Sequence, residues 1–370
     1  METMSVEKFI DQYLSGYTNY KEYWNYEDGC VLLGCKNLFE ATGDRKYFDF
    51  IEKYLQGFIG EDGTIRNYEM DKYNIDSINS GKILFFMYER TGEEKYRKAI
   101  EILMDQLRTH PRCSTGNFFH KKIYPDQIWL DGLYMAQPFY MEYETKFEKK
   151  EHYSDIISQF RNVQKYLYAP EKGLCYHACD VEKKAFWADP QTGCSANFWL
   201  RSMGWYLMAL VDTMYAMSKE IYEQYRELED IYKQMLKGIL QYRDPETGLF
   251  YQVIDRADVE GNYLETSGSA MIAYSILKAC RMGILQKEKY AQIGEGIVQG
   301  LIDHKLKEVD GKLELTGICA VAGLGPETNH VRDGSVAYYL SEPVVSNDAK
   351  GVGPFFMAYG QYLSLQREKY

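Results

Sequence analysis

Asp131 is the only charged residue between Asp126 and Glu142, in a segment reading DQIWLDGLYMAQPFY and dominated by aromatic and aliphatic side chains. A carboxylate among apolar neighbours is costly unless it is paired or hydrogen-bonded. Comparable polar groups stand beside five other apolar runs: Trp24, Tyr26 and Asp28; Asp76, Ser77 and Asn79; Trp199, Arg201 and Trp205; Glu265 and Thr266; and Glu342, Asn347, Asp348 and Lys350. The third run adds Gln127 and Trp129 to Asp131. Carboxyls can exchange protons with a reacting group, and Tyr and Trp faces can carry a sugar ring. A blander reading competes with this one. Asp76 and Asp131 stand where an N-cap belongs, and an Asp cap stabilises its helix by ~1 kcal/mol without any catalytic role. Arg201 could serve only to neutralise a buried carboxylate, and His120 and His177 only to satisfy polar connectors. Spacing alone leaves both readings open.

The elements that must position these residues repeat along the chain. A glycine opens an apolar helical run six times, at Gly29, Gly81, Gly132, Gly204, Gly268 and Gly353. Charged amphipathic segments alternate with these runs, at about 5–19, 44–57, 95–107, 150–167, 220–242 and 288–303. Helices apolar nearly all round belong inside a structure and one-sided helices outside it. Thr42-Gly43-x3-Tyr47 and Thr91-Gly92-x3-Tyr96 read as turns from an inner to an outer helix. Glu171-Lys-Gly173 and Glu246-Thr-Gly248 read as small β-hairpins or extended connectors leading into the next inner helix. Six such pairs predict an all-α (α/α)6 barrel of six inner and six outer helices, with short β-hairpin connectors on the rim of one cavity. An open solenoid of helix pairs is the alternative. The barrel is expected to span residues 1–370 as one catalytic domain, with its functional side chains at the N-terminal ends of the inner helices.

Composition narrows the partners. Lys plus Arg is 43 against 54 Asp plus Glu, a net charge of −11, which repels nucleic acid and anionic membrane. An anionic substrate then needs local cations. The opening METMSVEKFIDQYLSGY has no signal-peptide pattern, and no apolar run approaches a membrane span. Eight cysteines without a signal fit a reducing cytoplasm. Cys175, His177 and Cys179 would share one face if CYHAC is a strand, but no partner pair completes a metal site. Gly323-Leu-Gly325 lacks the strand–helix context of a phosphate loop.

Five ordered motifs give a resemblance: NIDSINSGKILFFMYERTG at 74–92, WLDGLYMAQPFY at 129–140, FWLRSMGWYLMALVD at 198–212, ETSGSAMIAYSI at 265–276, and AGLG…RDGSVAYYLSEPVVSNDAKGVGPF at 322–355. From about Trp24 onward the chain resembles the unsaturated rhamnogalacturonyl hydrolases of glycoside hydrolase family 105, whose barrel the unsaturated glucuronyl hydrolases share. The resemblance implies that Asp131 is the general acid and base and Asp76 a second essential carboxylate. It places Tyr26, His120, Lys121, Met135, His177, Trp199 and Arg201 in the substrate pocket. Lys350 is added here as a further cation for an anionic sugar. The implied substrate is a lyase product whose uronate carries a C4–C5 double bond. Ordinary glycosidases flank the anomeric carbon with two carboxyls; here the acid protonates C4 and water adds at C5. A helix N-terminus favours an anion, so a carboxyl acting as an acid there needs apolar burial or a neighbouring carboxylate to oppose it. Asp76 is the candidate neighbour.

The reading requires no metal or cofactor, and a monomer or weak homo-oligomer is expected. Its rivals are an unsaturated glucuronyl hydrolase acting on glycosaminoglycan disaccharides, a sugar epimerase on the same architecture for whose paired histidines His120 and His177 are the sole candidates among six, and a non-catalytic sugar-binding scaffold.

Overall fold

A computed structural model describes residues 2–19 and 21–368, so the parts of the expected 1–370 span at residues 1, 20, 369 and 370 lie outside it. Six outer helices alternate with six inner ones. The outer set is α1 (Glu2–Gly16), α3 (Arg45–Gln56), α6 (Glu94–Thr109), α8 (Tyr153–Tyr166), α10 (Tyr222–Ile239) and α12 (Lys287–Lys305). The inner set is α2 (Tyr26–Thr42), the broken pair α4 (Asp76–Asn79) and α5 (Lys82–Thr91), α7 (Leu130–Lys146), α9 (Leu200–Ala216), α11 (Thr266–Arg281) and α14 (Ala349–Arg367). A short α13 (Val336–Ser341) lies on the rim. The last inner helix packs along the first, α14 on α2, which closes the ring and removes the open solenoid.

The turn chemistry is as expected. Gly43 (φ 73°) and Gly92 (φ 71°) end α2 and α5 in the left-handed conformation, each N–H returning to a carbonyl of the last turn. That geometry favours glycine. Tyr47 and Tyr96 then bury themselves in the next outer helix. The six glycines play a different part from the one expected. Only Gly81 directly precedes a helix; the others lie within a first or second turn, and most of them mark close approach between neighbours. A Cβ on Gly353 would lie 2.5 Å from the backbone of Cys30, and one on Gly204 would lie 2.9 Å from Cβ of Met271. The seams between inner helices therefore require small residues.

Inner-to-outer turns are short, at 43–44 and 92–93, whereas outer-to-inner connectors are long, such as 110–129 and 167–199. The long ones carry the strands. β2 (Tyr168–Ala169) and β3 (Leu174–Cys175) form the expected hairpin around Gly173. β1 (Gln127–Trp129) pairs antiparallel with β4 (Ala178–Asp180), in register Trp129 to Ala178, tying two rim connectors together. A hairpin of β5 (Leu306–Val309) and β6 (Lys312–Leu315) was not expected; its Asp310-Gly311 turn has both φ angles positive, the usual two-residue hairpin signal. β7 (Ile318–Cys319) pairs with β8 (Val344–Val345) across the tail. No helix among the described residues is long and apolar enough to cross a membrane.

Candidate active site

The barrel holds a cavity at each end. One, of about 210 Å³, is lined from the N-terminal ends of the inner helices. The other, of about 270 Å³, is lined from further along the same helices. Asp76, Asp131, Tyr26, His120, Lys121, Met135, Trp199 and Arg201 all line the first.

Neither aspartate is a cap. Asp131 is the second residue of α7, whose N-cap position is Trp129, and Asp76 opens α4 with its N–H held by Asn74 Oδ1 at 3.1 Å. Capping does account for other candidates: Glu265 receives the N–H groups of Ser267 and Gly268, and Asp348 receives that of Lys350. The bland reading therefore holds for the fifth and sixth runs and fails at the second and third.

Asp131 is 9% exposed. Its Oδ2 lies 3.2 Å from His177 Nε2, off the line of a well-formed hydrogen bond. Nδ1 of the same ring meets Tyr339 Oη at 2.8 Å. His177 stands behind Asp131 and does not line the cavity. Its main chain explains why: β3 ends at Cys175 and β4 starts at Ala178, so CYHAC is not one strand. Among the described residues no group of three or more His, Cys, Asp or Glu could hold a metal ion.

Asp76 is committed elsewhere. Lys121 Nζ lies 2.9 Å from one of its oxygens and His120 Nε2 3.3 Å from the other. Burial alone would raise its pKa, but Lys121 and then His120 outweigh that and hold the carboxyl below its usual range. Lys121 is raised in turn, because attraction to Asp76 overcomes burial. Burial keeps His120 neutral, against the pull of Asp76. Asp76 therefore does not face Asp131 as a lone opposing charge, contrary to expectation. The His120 ring stacks on Trp129 with centroids 4.8 Å apart, and Tyr124 stacks on that tryptophan at 5.0 Å.

Arg201 is 1% exposed and has no carboxylate within ion-pair distance among the described residues. Its Nη1 donates to the Cys319 carbonyl at 2.6 Å and to Ser267 Oγ at 3.2 Å, while Nε and Nη2 make no hydrogen bond to the described residues. A guanidinium with free donors in a cavity wall is suited to a planar carboxylate. Trp199, at the N-cap position of α9, lies 4.7 Å from the His177 ring and anchors its Nε1 on Gln252 at 3.1 Å. Burial, with Glu27 and Asp76 nearby, keeps the Tyr26 phenol protonated.

Lys350 does not belong to this site. It is buried between Glu27 (3.1 Å) and Asp348 (2.9 Å) and does not line the cavity. The carboxylates on either side of it come from its own helix cap and from α2, a pairing across 323 positions that no local pattern reveals. Sequence reasoning missed Tyr339 and Arg332, although both lie within the tail motif. Arg332 lines the cavity 3.6 Å from Glu342. It also missed Gly323, which lines the cavity where a Cβ would come 3.5 Å from the Trp129 ring.

A helical barrel with a carboxyl against a buried imidazole, a cation free to meet an acid, and aromatic walls defines a carbohydrate-processing site. Comparison with known proteins agrees. The model of Glycosyl Hydrolase Family 88 matches residues 2–366, and the chain belongs to that family and is a glycoside hydrolase. A glycoside hydrolase from family 105 of C. acetobutylicum ATCC 824 has a solved structure 42% identical, covering 98% of both chains with a TM-score of 0.91. Unsaturated rhamnogalacturonyl hydrolase YesR of Bacillus subtilis (strain 168) is 25% identical over 70% of this chain and 72% of its own. The unsaturated glucuronyl hydrolase of Bacillus sp. GL1 shares the fold, with a TM-score of 0.70 at 16% identity, covering 100% of this chain and 97% of that one.

Proposed function

We propose that the chain is a single-domain unsaturated rhamnogalacturonyl hydrolase. The observation that carries the reading is one cavity holding both Asp131, backed by His177, and Arg201, a buried cation that touches no carboxylate among the described residues. Arg201 binds the uronate carboxylate, and the conjugated double bond lies against Asp131. Asp131 gives its proton to C4, water adds its oxygen at C5, and the second water proton returns to Asp131. The hemiketal so formed opens to a ketone at C5. C1 is then a hemiacetal, which expels the leaving sugar as an alcohol. One water is consumed, and the same carboxyl ends as it began. Lys121 keeps Asp76 ionised, and Trp129, Trp199 and Tyr26 wall the ring. The rhamnose leaving group rests on the tail and WLRSMGW motifs and on the likeness to YesR.

The test is loss of near-ultraviolet absorbance from an unsaturated galacturonyl-rhamnose disaccharide, with rhamnose released. Asp131→Asn should lower turnover by about 10³-fold or more while leaving the melting temperature near wild type; substantial residual activity sinks the acid–base assignment. Turnover of an unsaturated chondroitin disaccharide instead moves the protein to the glucuronyl branch, and binding without turnover of either supports a scaffold.

A further inference from the structure

Pro138 lies inside α7 and has no N–H, so the carbonyl of Tyr134, four residues earlier, has no helical donor. The side chain of Lys82 fills that gap. Its Nζ donates to the Tyr134 carbonyl at 2.5 Å and to Asn79 Oδ1 at 2.9 Å, and lies 3.3 Å from the centroid of the Tyr134 ring. Lys82 is buried and has no carboxylate within ion-pair distance among the described residues. A buried ammonium without a counter-ion is costly, so its partners call for an explanation.

Both partners lead to the catalytic cavity. Tyr134 follows Asp131 by one turn and stacks on Trp205, with centroids 4.9 Å apart and planes at 21°. Asn79 donates through Nδ2 to the Tyr26 carbonyl at 3.0 Å. Trp205 and Tyr26 line the cavity and meet edge to face at 6.5 Å. On its other side Lys82 lines the second cavity, together with Pro138.

We propose that Lys82 is a positioning residue for the hydrolysis: it supplies the hydrogen bond that Pro138 removes and, through Asn79, fixes Tyr26, Trp205 and the first turn of α7 as one sugar-binding floor. The proposal rests on the reading that this cavity holds the substrate. Burial brings the Lys82 pKa down to about 7; Asp212, Cys30 and Glu142 oppose the shift, and Lys278 adds to it. A neutral amine keeps two N–H groups, enough for both acceptors, so the anchorage survives titration.

The test is a rescue. Lys82→Met should raise KM about tenfold with kcat changed less than about threefold, because the ring seat is loosened and the proton donor is kept. Pro138→Ala returns an N–H to the Tyr134 carbonyl but leaves the Asn79 arm cut, so the double variant should recover about half of the tenfold loss on a logarithmic scale, to a KM about threefold above wild type. Wild-type kinetics in Lys82→Met, or a double variant no better than the single one, overturns the proposal. Should Lys82→Met fail to fold, Asn79→Ala cuts one arm alone; a KM unchanged there overturns it equally. A substrate-free readout separates this idea from the functional one. The near-ultraviolet circular dichroism of the Trp205–Tyr134 pair, identified by subtracting Trp205→Phe, should weaken in Lys82→Met and return in the double variant. If wild type hydrolyses no unsaturated uronyl sugar, the functional reading fails while this signal still decides the role of Lys82.

Discussion

The two ends of the barrel are built from the same six inner helices and differ in how their charges are matched. At the far end Lys278 holds Asp212 at 2.7 Å, Lys146 holds Glu142 at 2.7 Å, and Arg281 reaches Glu368 at 2.9 Å. Tyr274 adds a hydrogen bond to Asp212 at 2.8 Å. At the near end Lys121 is matched to Asp76, but among the described residues no carboxylate touches Arg201, which reaches Glu265 only through Ser267 Oγ, and Asp131 meets only an imidazole. Matched pairs lower the cost of burying charge and leave nothing for a ligand to do. Lys82, which also borders the far cavity, touches no carboxylate among the described residues but is taken up by the Tyr134 carbonyl and Asn79 Oδ1. Groups left without such partners in the near cavity keep their capacity for a ligand, so the pairing pattern, rather than cavity size, distinguishes the two ends.

The contrast can be broken by substitution. After Asp131→Asn, the largest effect is expected from Arg201→Met, which should lower kcat/KM for an unsaturated uronyl substrate by about 100-fold, chiefly through KM. Arg201→Lys should recover little, since a point charge cannot reproduce the planar fork. Kinetics close to wild type in both would place the uronate carboxylate elsewhere. Tyr339→Phe removes the hydroxyl beside His177 Nδ1 and should cut kcat by about tenfold with a shifted pH profile, because Asp131 keeps its neighbour but loses that neighbour's anchor. An unchanged pH profile would reduce Tyr339 to packing. The smallest kinetic effect is expected at the far end. Asp212→Asn should leave activity within about twofold while lowering unfolding free energy by roughly 1–3 kcal/mol, measured by denaturant titration, since it strands Lys278 and Tyr274. A large loss of activity there would make the far cavity functional.

Much of the barrel was legible because its signals are local. The alternation of apolar and amphipathic segments returns the six outer helices to within a few residues, and Thr-Gly-x3-Tyr encodes a left-handed stop followed by a buried tyrosine. The Asp310-Gly311 hairpin is equally local, its signal lying in two turn residues. The role of the repeated glycines is not legible in one dimension, because a residue that permits close approach of two helices and one that opens a helix look alike there. Most of the candidate site was legible too, since chain direction brings each inner-helix start to the same end. Capping could not be told from catalysis in this way. Asp131, Asp76, Glu265 and Asp348 all stand near a helix start, and a shift of one or two positions along the turn decides whether the carboxylate faces its own backbone or the cavity.

The sequence by itself determined the elements, their order and the presence of a lone carboxyl in an apolar run, because periodicity and turn preference act over a few residues. The tertiary structure decided which charges remain unmatched. Lys350 is neutralised by Glu27, Asp76 by Lys121, and Asp131 is left to His177, itself tied to Tyr339 162 positions away. Charges interact through space at a few ångströms, and only the closed ring brings those partners within reach.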